Sequence, residues 1–273
     1  MRPASKPYAA GTGDGMASAN TRPQKQIMYY LDMMDGKPDS MLRGQPIVRD
    51  ARPFSDSRME MDVYLPASRI GIEYDGSRFH GGDAEQEMRK YESCRDNGIR
   101  LYRVTDLDIH SGPYAGTADT LYHVDDPSDI TSEIEPMMDE IASELELKNY
   151  QDWRKTHQHM DDQLAVYEPV DWTVSKFDDL KDTWDGDRNE YLYDVDADDA
   201  RVDSPVRYAW RCPRCHEQYM CTVCDRLNGR GCSVANEGGR HRKTRQPVQR
   251  SFWSRVRRRR SDGNGTDEAL RLC

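Results

Sequence analysis

The chain lacks long hydrophobic runs and has few apolar side chains. Hydrophobic residues make up 36% of its 273 positions, Phe occurs four times, and charged residues reach 32%. Neither a membrane-spanning stretch nor a signal-peptide pattern is present, so we expect a soluble, intracellular and cytoplasmic protein with no membrane partner. Because the apolar content is too low for one core across the whole length, we also expect tails and linkers.

Basic residues are outnumbered overall, but charge is unevenly spread. The net charge of −10 by itself argues against a nucleic-acid partner. Eleven acidic residues lie between Asp178 and Asp203, whereas ten basic residues and no acidic residue lie between Arg240 and Arg260. Such a basic segment binds phosphate by releasing counterions, without base specificity. The alternatives are a solubilising tail, or one that folds back on the acidic segment. The side chains expected to contact nucleic acid here are Arg242, Lys243, Arg245, Arg257, Arg258, Arg259 and Arg260.

The segment from residue 60 to residue 76 predicts two short strands joined by a turn at residues 66–69. Side chains alternate along a strand, so its acidic residues fall on one face and most of its apolar residues on the other. The turn predicts three cross-strand pairs: Leu65 with Ile70, Asp62 with Glu73, and Glu60 with Asp75. Like charges across a strand pair repel, so this arrangement needs raised pKa values or a cation. Mg²⁺ takes oxygen ligands and is the natural occupant.

The residues after the hairpin extend the pattern with a helix over 84–97 and a third strand over 99–104. The motifs are EMDVYLP at 60–66, IGIEYDG at 70–76, a His at 80, and GIRLYR at 98–103. Over about residues 20–110 they resemble the PD-(D/E)-x-K phosphodiesterase superfamily, in the branch similar to very-short-patch-repair endonucleases. The resemblance implies an α/β (α+β) restriction-endonuclease-like core, with a mixed sheet flanked by helices.

The resemblance also implies roles for individual residues. Asp62 and Glu73 would hold Mg²⁺ or Mn²⁺, and Asp75 would assist. His80 would act as general base or position water.

The sequence departs from the superfamily pattern at two positions. The superfamily Lys usually lies two residues after the second acid, where this chain has Asp75, so Lys90 from the following helix is the candidate substitute. Lys90 or Arg103 would stabilise charge that develops on phosphate, and Arg103 is also expected to contact nucleic acid. Gln24 occupies the position of a Glu in the first helix, where its amide can ligate or hydrogen-bond without adding charge.

Cysteine is concentrated in one short region, with five of seven between residues 212 and 232. In an intracellular chain this spacing predicts zinc binding. The region resembles a treble-clef or zinc-ribbon module, with Ala235 where the closing Cys would stand. Two ligand sets remain open: Cys212, Cys215 and Cys232 completed by Cys221, Cys224 or His216, or else Cys212, Cys215, Cys221 and Cys224.

Together these features predict five segments: a disordered N-terminus (1–20), a nuclease domain (21–150), an acidic linker (151–203), the zinc module (204–236) and a basic disordered tail (237–273). We expect a metal-dependent DNA endonuclease that hydrolyses phosphodiester bonds, with DNA as partner and Mg²⁺ or Mn²⁺ and Zn²⁺ as cofactors. The alternatives are a catalytically inactive nuclease fold that binds nucleic acid, or a zinc-module adaptor for another protein.

Overall fold

The structure is a computed structural model that describes residues 21–34, 39–56, 59–76, 84–147 and 160–232. The predicted disordered N-terminus and basic tail lie outside these residues. No helix in this part of the chain is long and apolar enough to span a membrane.

The described chain contains seven α-helices and nine strands. The helices are α1 Arg22–Met33, α2 Ala84–Asp96, α3 Glu135–Glu144, α4 Met160–Val166, α5 Asp178–Lys181, α6 Gly186–Tyr193 and α7 Val223–Leu227. The strands are β1 Met41–Leu42, β2 Gln45–Pro46, β3 Val48–Ala51, β4 Met61–Leu65, β5 Ile70–Asp75, β6 Arg100–Thr105, β7 Thr120–His123, β8 Tyr208–Arg211 and β9 Gln218–Cys221.

A five-stranded mixed sheet is the framework of the fold, in the order β3-β4-β5-β6-β7. The first three strands are antiparallel, and β5, β6 and β7 run parallel. Parallel neighbours need a long crossover, which α2 supplies between β5 and β6. The predicted turn and the predicted pair of Leu65 with Ile70 are confirmed, and Val63 pairs with Ile72 in the same register. The predicted mixed α+β sheet flanked by helices is therefore confirmed.

One face of the sheet is apolar and packs against α1 and α3. Helix α1 begins at an N-cap, where the Thr21 hydroxyl accepts a hydrogen bond from the Gln24 backbone N–H at 3.4 Å. Its predicted apolar side chains, Ile27, Tyr30 and Leu31, are almost completely buried. They meet the inward residues of β4, β5 and β6, together with the Met and Ile side chains of α3.

The opposite face packs against the second half of the chain. Tyr64 and Leu101 of the sheet share a hydrophobic cluster with Val174, Leu180 and Trp210. The predicted acidic linker therefore differs from the structure in its described part. From residue 172 onward its few apolar residues are buried on the sheet, while most of its acidic side chains stay exposed.

The zinc module is built around a buried tryptophan on the β8–β9 hairpin. Trp210 donates a hydrogen bond from its indole N–H to the Cys221 carbonyl at 2.9 Å, and the Arg226 guanidinium lies 5.4 Å from its ring centre. Asn189 of α6 exchanges two hydrogen bonds with the backbone of Ala209, at 2.7 and 2.8 Å. Because α6 closes over β8, the folded unit begins before residue 204, the predicted start of the module.

Buried Asp32 makes stability depend on pH. Its carboxylate accepts hydrogen bonds from the backbone N–H groups of Asp39 (3.1 Å) and Ser40 (2.9 Å). Burial raises the pKa of Asp32 from 3.8 to about 6, although the Ser40 hydrogen bond acts in the opposite direction. The folded protein binds this proton more tightly than the unfolded chain. The stabilising contribution is therefore fully present below pH 3.8 and is lost as the pH rises through about 6.

We expect Asp32→Asn to weaken this pH dependence. Between pH 4 and pH 7 the unfolding free energy of the unsubstituted protein should fall by about 2 to 3 kcal/mol more than that of the variant. Urea unfolding followed by circular dichroism measures both slopes, with Asp96→Asn at an exposed position as the control. Equal slopes for D32N and the unsubstituted protein would show that this carboxyl does not control the titration.

Candidate functional site

The hairpin brings two predicted metal ligands onto one face of the sheet. The paired residues of β4 and β5 end at Val63 and Ile72, and continuing this register by one residue sets Asp62 opposite Glu73. Asp62 is partly buried, and its carboxylate accepts a hydrogen bond from the Tyr74 backbone N–H at 2.7 Å. The third predicted pair differs, since β4 begins at Met61 and Glu60 forms an ion pair with Arg52 at 2.9 Å.

Helix α2 adds a lysine to this face, as the sequence predicted. The Lys90 ammonium lies 2.6 Å from a carboxylate oxygen of Glu73, and both side chains are largely buried. Lys90 thus contacts a proposed metal ligand from the helix that follows the hairpin.

Arg103 lies beneath these acidic side chains, here called the acidic cluster, and is completely buried. One of its terminal nitrogens lies 2.8 Å from a carboxylate oxygen of Asp75 and 2.8 Å from one of Glu87. The ring of Tyr114 stacks 4.7 Å from the guanidinium carbon. The structure therefore differs from the prediction that Arg103 contacts nucleic acid, because its charged group does not reach the surface.

Two further polar residues adjoin the cluster from α1 and β3. Gln24 is buried, and its side-chain N–H₂ donates to Asp50 at 3.3 Å and to the Asp62 carbonyl at 3.4 Å. The predicted first-helix position therefore does lie beside the acids.

Glu87 of α2 also adjoins the cluster and was not predicted from the sequence. It lies three residues before Lys90, a spacing that places both on one helix face.

The electrostatics of the cluster reflect an excess of negative charge. Burial, followed by the charge of Glu73, raises the pKa of Asp62 well above its ordinary value. Burial also raises the pKa of Asp75 to about 7, although Arg103 opposes the shift. Burial lowers the pKa of Lys90, but the charge and hydrogen bond of Glu73 outweigh it, so the net shift is upward.

The donor set suits a hard divalent cation. Four carboxylates (Asp62, Glu73, Asp75 and Glu87) face two cationic side chains, which leaves a formal charge of −2 when all are ionised. A divalent ion would balance that charge, and oxygen is the ligand atom that Mg²⁺ and Mn²⁺ favour. However, the carboxylate oxygens do not surround one common point. No three carboxylates among the described residues place ligand atoms within 4.8 Å of one another. Predicted His80 lies outside the described residues.

Three cysteines form a second candidate metal centre. The sulfur atoms of Cys212, Cys215 and Cys232 lie within 4.8 Å of one another, and those of Cys215 and Cys232 are 3.7 Å apart. Burial raises the pKa of the Cys212 thiol. Hydrogen bonds from the backbone N–H groups of Cys215 and Arg214 lower it, and the net pKa lies below its ordinary value. Thiolates at this separation fit the tetrahedral Zn²⁺ of structural sites, in which four ligands are usual.

The other two cysteines of the region lie apart from this centre. The Cys224 thiol donates a hydrogen bond to the Pro66 carbonyl at 3.3 Å, in the turn between β4 and β5. Burial and then the charge of Asp225 raise the pKa of Cys224 to about 11. Burial also raises the pKa of Cys221. Neither these thiols nor His216 join the cluster of three, so the described residues supply three of the predicted ligands.

The exposed side of the zinc module is basic. Its hairpin carries two exposed arginines, of which Arg214 lies in the loop beside the cysteine centre, and Arg207 is exposed just before the hairpin. Arg211 is paired with Asp185 at 3.0 Å, and Arg230 with Asp225 at 2.9 Å. The remaining predicted nucleic-acid contacts, from Arg242 through Arg260, lie outside the described residues.

Comparison with known proteins supports the zinc module. Residues 180–234, about a fifth of the chain, match a family described as a "probable treble clef zinc finger domain". The match begins inside the segment predicted as an acidic linker and includes α5 and α6. No curated protein and no solved structure matches the chain. The match and the three-cysteine cluster together indicate a treble-clef zinc finger, a class whose members often bind nucleic acid or protein, and they support zinc as its metal.

Metal content should separate the ligand cysteines from the packing cysteine. We expect Cys215→Ser to lose most of the zinc, which should be about one ion per chain in the unsubstituted protein. Cys224→Ser should keep it, because that thiol contacts the Pro66 carbonyl instead. Mass-spectrometric metal analysis of the purified proteins makes this comparison. Equal loss of zinc from both variants would contradict the ligand set.

Proposed function

We propose that the protein is a metal-dependent endonuclease of the restriction-endonuclease-like type, which hydrolyses DNA phosphodiesters and contacts DNA through its zinc module. The observation that carries the proposal is the placement of Asp62 opposite Glu73, with Lys90 at 2.6 Å from Glu73. Two acids and a lysine on one sheet face, in the order hairpin, helix, strand, are what the resemblance to PD-(D/E)-x-K enzymes implies.

In this proposal Asp62 and Glu73 hold Mg²⁺ or Mn²⁺, and Asp75 assists. Such an ion polarises a phosphoryl oxygen and lowers the pKa of bound water. Lys90 stabilises the charge that develops on the phosphate. Arg103 and Glu87 are positioning residues, because their ion pairs orient Asp75 from below. His80 retains its predicted role as general base or water-positioning group.

The zinc module supplies DNA contact beside this site. The module packs on the sheet face that carries the acidic cluster. It lies at the β4–β5 turn, where the Cys224 thiol donates a hydrogen bond to the Pro66 carbonyl. Exposed Arg211 and Arg214 lie on the β8–β9 hairpin, whereas the acidic side chains concentrate on α5, α6 and the loop after α6. A duplex that approaches the hairpin would meet positive charge first.

A second candidate is a nucleic-acid-binding protein without catalysis. The observation that favours it is that Lys90 and Arg103 already neutralise two of the carboxylates, whose oxygens do not converge on one point within the described residues. Mn²⁺ titration by calorimetry separates the two candidates, since binding heat that Asp62→Asn abolishes is expected only for the first.

Cleavage should depend on Asp62 and Glu73 but not on Glu60. With Mg²⁺ or Mn²⁺, we expect Asp62→Asn and Glu73→Gln to reduce plasmid nicking by at least about 10²-fold, because each removes a metal ligand. Glu60→Gln is the matched control, since this nearby carboxylate pairs with Arg52. Nicking by D62N at the rate of the unsubstituted protein would rule out this site.

DNA binding should depend on the exposed arginine beside the zinc centre. We expect Arg214→Ala to weaken binding to duplexes of any sequence and to reduce the slope of log affinity against log salt by about one. Fluorescence anisotropy at several salt concentrations measures both effects, with Lys176→Ala on the acidic side as control. An unchanged slope would show that this arginine does not meet a phosphate.

A further inference from the structure

Lys90 lies against one of the two opposed carboxylates, that of Glu73. Its ammonium lies 2.6 Å from Glu73, and its side chain is only 15% exposed. Its charge also acts on Asp62 and Asp75. A buried lysine that contacts one acid, and whose charge opposes the rise in pKa of two others, is a counter-ion of that cluster.

We infer that the Lys90 ammonium serves as a built-in competitor of the divalent cation, holding the acidic cluster together when no metal is bound. When a divalent ion binds Asp62 and Glu73, the ammonium leaves Glu73 and becomes available to the substrate phosphate. This inference rests on the proposed function, and it adds an exchange of cations that the site residues by themselves do not require.

Charge balance supports the exchange. With both cationic side chains in place and all four carboxylates ionised, the cluster carries two excess negative charges, which a divalent ion would neutralise in full. Because Lys90 lies 2.6 Å from one Glu73 oxygen, a divalent ion bound to that oxygen would lie close to the ammonium charge. Like charges at such short range repel strongly in a poorly solvated site.

Lys90 is also the cation that is able to move. Arg103 is held by Asp75, by Glu87 and by the ring of Tyr114, and it is fully buried. Among the described residues, Lys90 forms one ion pair, and it has a flexible four-carbon chain and a position on the second turn of a helix whose outer side is exposed. The ammonium can therefore leave Glu73 by rotation of its own side chain.

Calorimetric titration with Mn²⁺ at pH 8 tests the inference. We expect Lys90→Met to bind Mn²⁺ at least about tenfold more tightly than the unsubstituted protein, because a competing charge is removed. The same variant should lose nicking. Lys90→Arg keeps the charge and should show no gain in affinity.

Each outcome bears on a different statement. Equal or weaker Mn²⁺ binding by K90M would overturn the competition, and retained nicking would overturn the transfer to phosphate. Absence of Mn²⁺ binding by the unsubstituted protein would instead count against the proposed function, for which Asp62→Asn is the matched reference.

A second measurement needs no variant and so does not depend on the folding of K90M. Reductive methylation of lysines, read by mass spectrometry, should modify Lys90 slowly without metal and several-fold faster with Mn²⁺. Lys176 and Lys181, which are exposed, should react equally in both conditions. Protection of Lys90 that Mn²⁺ leaves unchanged would overturn the exchange.

Discussion

The pairing register of β4 and β5 is the constraint on which both halves of the structure depend. Because side chains alternate, pairing Val63 with Ile72 sends these residues into the core under α1 and α3 and sends Asp62 and Glu73 to the other face. A slip of one residue would bury the carboxylates among apolar side chains and expose the apolar set. The apolar face therefore determines where the charges lie, and their chemistry follows from packing on the far side of the sheet.

Charges gathered on that face would repel unless compensated, and the fold compensates them from two directions. Lys90 approaches from α2, and Arg103 rises from β6 between Asp75 and Glu87. The same face also carries the second hydrophobic cluster, which joins the sheet to the treble-clef zinc finger through residues such as Leu101 and Trp210. The zinc module is thus part of the packed body that supports the acidic cluster.

Local patterns carried much of the prediction. The period-two alternation and the turn at residues 66–69 predicted the hairpin, and the spacing of Ile27, Tyr30 and Leu31 predicted the buried face of α1. The Cys spacing pointed to a metal module. Glu87 was not predicted as a site residue, because its function depends on its contact with Arg103, sixteen residues away. The folding of the acidic segment was not predicted either. Its sparse apolar residues, such as Val174 and Leu180, have a packing partner only when the sheet is present.

The sequence by itself determined the order of elements, the facing of Asp62 toward Glu73 and the presence of a cysteine-rich module, because these depend on neighbours along the chain or on one short turn. Tertiary structure alone decided three other matters. It buried Arg103 under Asp75, selected Cys212, Cys215 and Cys232 from five cysteines, and used Cys224 to dock the module on the hairpin turn. These outcomes depend on distances between segments far apart in the chain, and such distances are determined by packing rather than by periodicity.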